Sequence, residues 1–400
     1  MKKALLSAVT ALCLSFAYQL SSASVAYSAD PVKIGFVAPL SGPFASLGQA
    51  MDRGARLYEK VHGGDLPEGV EIEVIRRDDA GVPDNTRRIA QELIVRDGVK
   101  ALTGIALSPQ GFAIAPLATS AKIPVALMVA TTSSLTRSSP YFVRFSYTQW
   151  QMAYSMGVWA AKNGIETSAI MVADYAPGLD SEKAFTKGFE ENGGKVVSSV
   201  HVPLVTNDYL PFMKTMEASK PGAIFTFVNE GRMPGVVSAF LATNMKADGV
   251  RLIGPGDIAH DDELLNMPPE LAGLVTAATY AIGNEDPANE AFLEAWKEEY
   301  GEKSLPNITA VAAWDAMDAL YSAVADLGAE ATSEQILEYL SNWSGKNSPR
   351  PDMRIDPETR DIVQPIYMNR VEMVDGELRN VTFEKLPPLK DPWKTFNPEK

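Results

Sequence analysis

The sequence predicts an α/β protein made of two similar halves. Three observations carry this. Short apolar strands alternate with longer amphipathic runs, the βαβα order that favours a parallel sheet with helices on both faces. The alternation occurs twice along the chain. No loose Gly/Ser/Pro-rich tether separates the two sets, because residues 141–151 form the dense aromatic run YFVRFSYTQWQ.

In the first set VKIGFVAPL reads as a strand and precedes a helix near Gln49 to Val61. VEIEVIRRD precedes a helix near Asn85 to Arg96. ALTGIA leads to a helix near Gly111 to Ser120, and the strand IPVALMVA follows. The second set starts with a helix over Gln149 to Asn163. Strand SAIMVAD, helix Ser181 to Asn192, strand KVVSSVHV, helix Leu210 to Ala218, strand AIFTFV, a helix near Pro234 to Thr243 and strand VRLIGP complete it. After Tyr280 come helical runs over Asn289 to Tyr300, Asn307 to Leu327 and Ser333 to Leu340. The tail turns to β: IVQPIYMNRVEMV and ELRNVTFE flank Asp375-Gly376, a hairpin signal.

Four hundred residues can hold two domains sharing an interface. Hydrophobic content of 46% and charged content of 22% are ordinary for a soluble globular protein. A formal net charge of -14, with no basic cluster, argues against a nucleic-acid partner. Residues 1–29 read as a secretory signal: Lys2 and Lys3, an apolar run from Ala4 to Ala17, then small residues from Ser21 to Ala29. That run is shorter than the roughly 20 residues a spanning helix needs. Cys13, the single cysteine, lies inside the signal, so the processed chain has no disulfide. Leu12 before it is too large for a lipoprotein signal. The chain is thus expected to be exported, processed between Ala23 and Ala29, and soluble.

Enzymatic motifs are missing. His62, His201 and His260 are dispersed, and no HExxH or CxxC occurs, so no metal site is expected. There is no G-x-S-x-G elbow, no Walker A loop and no GxGxxG after the first strand, so no cofactor is expected either. Small polar residues instead crowd the carboxyl ends of the strands. Ser41-Gly42-Pro43 follows the first strand, Ser108-Pro109 the third, and Ala130-Thr131-Thr132-Ser133 the fourth. Ligands of open α/β sheets bind beyond those ends. A hydroxyl at a helix start, with free N–H groups beside it, can hold a carboxylate. The same hydroxyls could also serve only as helix caps.

These segments, in order, resemble the branched-chain amino-acid (Leu/Ile/Val-binding) family of periplasmic solute-binding proteins of ABC importers. IGFVAPLSGPFASLGQAMDRGARL is similar to that family's opening I-G-x-x-x-P-L-S-G-x-x-A-x-x-G. TGIALSPQGFAIAPLATSAKIPVALMVATTSSLT is similar to its G-x(3)-S and A-x-T segments, and ADYAPGLDSEKAF to its D-Y-x-x-G signature. TNDYLPFMKTM, FVNEGRMPG and LIGPGDIA resemble three further segments.

The resemblance implies the type I periplasmic binding fold: two Rossmann-like lobes with parallel-type sheets, joined by three crossings, with ligand held in the cleft. One lobe is placed at 31–147 plus 280–354, the other at 148–279 plus 355–385, with 386–400 as a C-terminal tail. It implies a carboxylate grip by Ser108, Ala130 and Thr132, with Thr131 beside them as a further ligand candidate, and apolar contact from Phe44 or Leu47. Tyr175 stays from the D-Y-x-x-G signature, while Pro177 replaces an aromatic. The family's ammonium-binding acid falls on Gly256, with Asp257 next to it, and its paired tyrosines become Asn229 and Glu230. Asp257 and Glu230 are candidate ligand residues, although both lie in short polar stretches where a solvent-facing side chain is the default. The tail and FSYTQWQMAYSMGVWAAKNGI resemble the branch that captures aromatic or other small organic acids, adding Tyr147, Gln149, Arg232 and Asn307 as cleft candidates. The expectation is a monomeric, non-enzymatic periplasmic receptor. It captures a small organic acid by lobe closure and docks on the permease of an ABC importer in the inner membrane. A neutral or branched-chain amino acid, or an amide or urea-type ligand, stays open, as does an exported hydrolase.

Overall fold

A computed structural model describes residues 30–229 and 231–398, so the expected signal, Cys13 and Glu230 lie outside the described residues. The first sheet holds β1 (Val32–Ala38), β2 (Ile72–Asp78), β3 (Ala101–Gly104), β4 (Val125–Leu127) and β5 (Phe142–Arg144). Their order is β2-β1-β3-β4-β5 and every pairing is parallel. Helices α1 (Ala45–His62), α2 (Pro83–Glu92) and α3 (Ser108–Ala121) connect these strands, as right-handed crossovers of a parallel sheet require.

The chain then enters α4 (Gln149–Lys162) and builds a second parallel set: β6 (Thr167–Ala173), α5 (Ala176–Glu190), β7 (Lys195–Val202), α6 (Leu210–Ala218), β8 (Ala223–Phe227), α7 (Met233–Leu241) and β9 (Arg251–Pro255). The short α8 (Asp261–Leu264) and β10 (Val275–Ala278) follow. Helices α9 (Pro287–Tyr300), α10 (Ile308–Leu327) and α11 (Ser333–Ser341) return to the first sheet. The helix α10 lies so close to α1 that a side chain on Gly54 would collide with the Ala310 carbonyl. The chain crosses once more through β11 (Arg354–Ile355) to β12 (Ile362–Val374) and β13 (Glu377–Leu389), and ends in α12 (Pro392–Phe396). The second sheet reads β11-β12-β10-β9-β8-β6-β7, with β12 antiparallel to β10 and β13 paired to β12.

The chain therefore passes between the sheets three times: after β5, after β10 and before β12. The hairpin signal is realised, with Asp375 at φ 52° and Gly376 at φ 86°, the two positive values a type I′ turn needs. Two strands carry little sequence signal. β5 is only three residues long, and β10 reads VTAA, half of it alanine. β13 runs on through Pro387 and Pro388, which an outer strand tolerates because its N–H groups need no partner. Among the described residues no helix is long and apolar enough to cross a membrane.

One residue ties the first crossing to the last. Arg350 is 1% exposed. Its guanidinium donates to Asp315 Oδ2 on α10 at 2.8 and 2.6 Å and to the Phe145 and Ser146 carbonyls at 2.5 and 3.0 Å. A fifth bond reaches Gln364 Oε1 on β12 at 2.7 Å.

Candidate functional site

The strand ends of both sheets face each other across a cleft. On the first side the turn after β1 is held by Asp78, whose carboxylate accepts from Ser41 Oγ at 2.6 Å and from the Leu40 amide at 2.9 Å. This turn aims Leu47 into the cleft. Phe44 does not line it: its ring lies against Gly81, at the turn after β2.

Ser108 begins α3 and lines the cleft, its Oγ accepting the Thr132 amide N–H at 3.1 Å. Thr131 lines the cleft too, whereas Ala130 and Thr132 do not. The 130–132 backbone is fixed from behind. Arg144, fully buried, donates to the Ala130 carbonyl, to the Thr132 carbonyl at 2.6 Å and to Asp361 Oδ1 at 2.9 Å. Ala130 sits at φ 32°, a strained value for a residue with a Cβ, and Arg144 is the contact that holds it. Ser133 continues the arrangement, donating its N–H to Asp180 Oδ2 of α5 at 2.9 Å and its Oγ to Asp391 Oδ1 at 3.1 Å. Lys394 ion-pairs with Asp361 behind the same loop. Hydroxyls and a helix start backed by buried cations suit a carboxylate.

The second side supplies a ring platform. Tyr175 and Phe227 stack at 6.1 Å with planes 10° apart, and Pro177 and Asn229 complete the wall. Burial pushes the Tyr175 hydroxyl far up, so it stays protonated, bonded to Asn229. Arg232 is elsewhere, donating to Asn207 Oδ1 at 2.6 Å.

Asp257, a ligand candidate in a stretch that looks solvated, turns inward. It is 8% exposed and lines the cleft, because Tyr147 OH at 3.2 Å and Gln149 Nε2 at 2.7 Å both donate to its Oδ2. Burial pushes its carboxyl up, while the Gln149 bond and His260 draw it down. Gly256 has no room for a side chain, since a Cβ there would meet Ala278 Cβ at 2.6 Å and Ala278 Cα at 2.9 Å. An acid at that position is therefore excluded without a shift of β10.

Asp257 and His260 divide the cleft into two chambers. The first, about 30 Å3, is the one bounded by Ser108, Thr131 and Tyr175. The second, about 20 Å3, is bounded by Gly256, Asp261, Thr279 and Asn380 as well as by Asn307. Asn307 caps α10, accepting the Ala310 N–H at 3.1 Å, and donates across the cleft to Asp262 Oδ2 at 3.3 Å. Chambers this small hold a water or two each, at roughly 10–15 Å3 per water. Any larger solute enters only if the two sides part.

His260, Phe227, Thr279 and Asn380 were not singled out from the sequence. His260 stands three residues after Asp257, a proximity that could have marked it. Asn380 had no local signal, since it reaches the cleft only through the β12–β13 pairing that sets it opposite Val371.

The chain matches a model of the family described as periplasmic binding protein over residues 31–377. It is 33% identical over 391 residues to Leu/Ile/Val-binding protein homolog 6 of Brucella abortus (strain 2308), covering 96% of this chain and 98% of that one. Among solved structures it is similar to a solute-binding protein of an ABC transporter from Rhodopseudomonas palustris BisB5 in complex with 3,4-dihydroxybenzoic acid. The TM-score is 0.87 at 41% identity, over 91% of this chain and 99% of that one. A second, from R. palustris in complex with 4-hydroxybenzoate, has a TM-score of 0.85 at 35% identity, covering 90% and 98%. Fold and relatives are those of extracytoplasmic solute receptors, and the chain belongs to the periplasmic binding protein family.

Proposed function

We propose that the protein captures an aromatic carboxylate outside the cytoplasm and delivers it to the membrane permease of an ABC importer. The observation that carries this is a carboxylate-type anchor at Ser108 and Thr131 facing the stacked Tyr175–Phe227 pair, in a chain 41% identical to a receptor solved with 3,4-dihydroxybenzoic acid. A flat ring packs against this aromatic wall, where stacking adds about 0.5–1.5 kcal/mol to area burial. Residues 31–147 plus 280–354 act as one lobe and 148–279 plus 355–385 as the other. They open to admit ligand and close over it, the Asn307–Asp262 and Ser133–Asp180 bonds forming across the seam on closure. The receptor works as a monomer in the periplasm after its signal is removed.

Calorimetric titration with 4-hydroxybenzoate, 3,4-dihydroxybenzoate, benzoate and leucine tests this. Micromolar or tighter binding of an aromatic acid is expected. A second reading, a neutral amino acid, draws on the inward Asp257, which could pair an ammonium. Tight leucine binding with no aromatic acid bound replaces the first reading with the second.

A further inference from the structure

The two chambers differ in what their walls still need. Around the second, the Asn380 amide donor is already spent. Asn380 Nδ2 donates to the Ala259 carbonyl at 2.7 Å and to Asp261 Oδ1 at 3.2 Å. Three oxygens are left without a partner among the described residues: Asp257 Oδ1, Thr279 Oγ1 and Asn380 Oδ1. Asp257 is 8% exposed and Thr279 only 1%, so bulk water does not reach them freely. Buried polar atoms are rarely left unpaired, and a cluster of them beside a ligand cleft marks where ligand atoms go.

The identity of the missing groups follows from chemistry. The Asn380 amide oxygen can only accept, and so can Oδ1 of Asp257 in its ionised form. What meets them must bring O–H or N–H donors. Ser108 and Thr131 belong to the first chamber and not to the second. A solute whose carboxylate lies toward them reaches the second chamber with its opposite end. An α-ammonium is one carbon from its carboxylate and stays in the first chamber. A hydroxyl on the far side of an aromatic ring is carried past Asp257 into the second.

Building on the aromatic-acid reading above, we infer that the second chamber is a hydroxyl subsite. Asp257, helped by Thr279 and Asn380, accepts hydrogen bonds from hydroxyls on the ligand ring and so selects hydroxylated aromatic acids over unsubstituted ones. Asp257 is the specificity-determining residue. Tyr147 and Gln149 position it by occupying Oδ2, which leaves Oδ1 for the ligand.

The test is the ratio of affinities within each protein, measured by calorimetry for benzoate, 4-hydroxybenzoate and 3,4-dihydroxybenzoate, with leucine as a fourth arm. The wild type should bind the hydroxylated acids about 10-fold or more tightly than benzoate, the scale of one hydrogen bond to a charged group. Asp257→Ala should bring that ratio close to one. Asp257→Asn, which keeps an accepting oxygen but no charge, should retain part of it. Thr279→Val removes a hydroxyl that bonds nothing in the protein, so this variant should fold, and its preference for the dihydroxylated over the monohydroxylated acid should shrink about 3-fold or more. A wild type that binds benzoate as tightly as its hydroxylated forms, or a full ratio in both Asp257→Ala and Thr279→Val, overturns the subsite and leaves the aromatic-acid reading standing. Leucine binding without any aromatic acid overturns that reading itself, and Asp257→Asn losing leucine would then assign the acid to an ammonium.

Discussion

Replacing Arg350 by methionine probes the knot between the first and last crossings. The substitution keeps most of the side-chain volume and removes five hydrogen bonds at a fully buried position. It also strands Asp315. Burial pushes the Asp315 carboxyl up to about 6 even with Arg350 beside it to hold it down. Without Arg350 it goes higher. Breaking a buried pair by removing one partner costs about 3–5 kcal/mol. The sign of the pH dependence follows from the direction of the shift. A carboxyl raised in the folded state binds its proton more tightly than in the unfolded chain, so its stabilising effect is complete below the unfolded value and is lost as pH rises through the folded one. At pH 5, below that raised value, the protonated form of Asp315 is favoured with or without Arg350, so the variant loses mainly hydrogen bonds. At pH 8 it must bury a charge without a partner or hold a proton against the solvent. Urea denaturation followed by circular dichroism at both pH values should show the larger loss at pH 8, by at least about 1.4 kcal/mol, the worth of one pKa unit. Adding Asp315→Leu to the variant should recover much of the loss, as apolar replacement of both partners does. Equal losses at the two pH values, or a double variant no better than the single one, would refute the reasoning.

Three other outcomes are expected. Gly256→Ala should cost about 1–3 kcal/mol by overpacking against Ala278, and Ala278→Gly in the same chain should recover only part of it, because the contact with the Ala278 Cα at 2.9 Å stays; a neutral single variant means the turn has slack the geometry does not show. Ser108→Ala with Thr131→Val should weaken an aromatic carboxylate by about 10-fold or more in calorimetry, and unchanged affinity removes both hydroxyls from the anchor. Burial, together with the charge of Asp361, pushes the Asp391 carboxyl up to about 7, so wild-type stability should fall as pH rises from 5 to 8. Asp391→Asn should flatten that slope in urea titrations, and an unaltered slope would mean that other groups set it.

The alternating strands and helices were legible because most central strands of the parallel sheets are nearly continuous apolar runs, while the outer β2 and β7 keep enough Val and Ile to show. KVVSSVHV and Leu210–Ala218 were placed to the residue. β5 and β10 were not isolated, since FVR and VTAA are too short to show a period, and their strand state comes from the neighbours they pair with. In the site, Ser108, Tyr175 and Leu47 were readable from strand ends and motif position. The inward Asp257 was not: a polar stretch looks solvated until Tyr147 and Gln149, more than a hundred residues away, supply its hydrogen bonds. Phe44 and Arg232 failed for the converse reason. Each found a nearer partner, Gly81 and Asn207, that no local pattern announces.

The late return of the chain to both sheets sets the order of synthesis and export against the order of folding. α1 packs on α10, more than 240 residues downstream, and β10 gains its second neighbour only when β12 is available. Lys394 reaches the cluster behind the 130–133 loop later still. A chain that emerges N-terminus first cannot complete either half while its last segments are still inside. Once the tail is made, both halves can close together, from contacts that span nearly the whole chain. Such long-range contacts make folding slow.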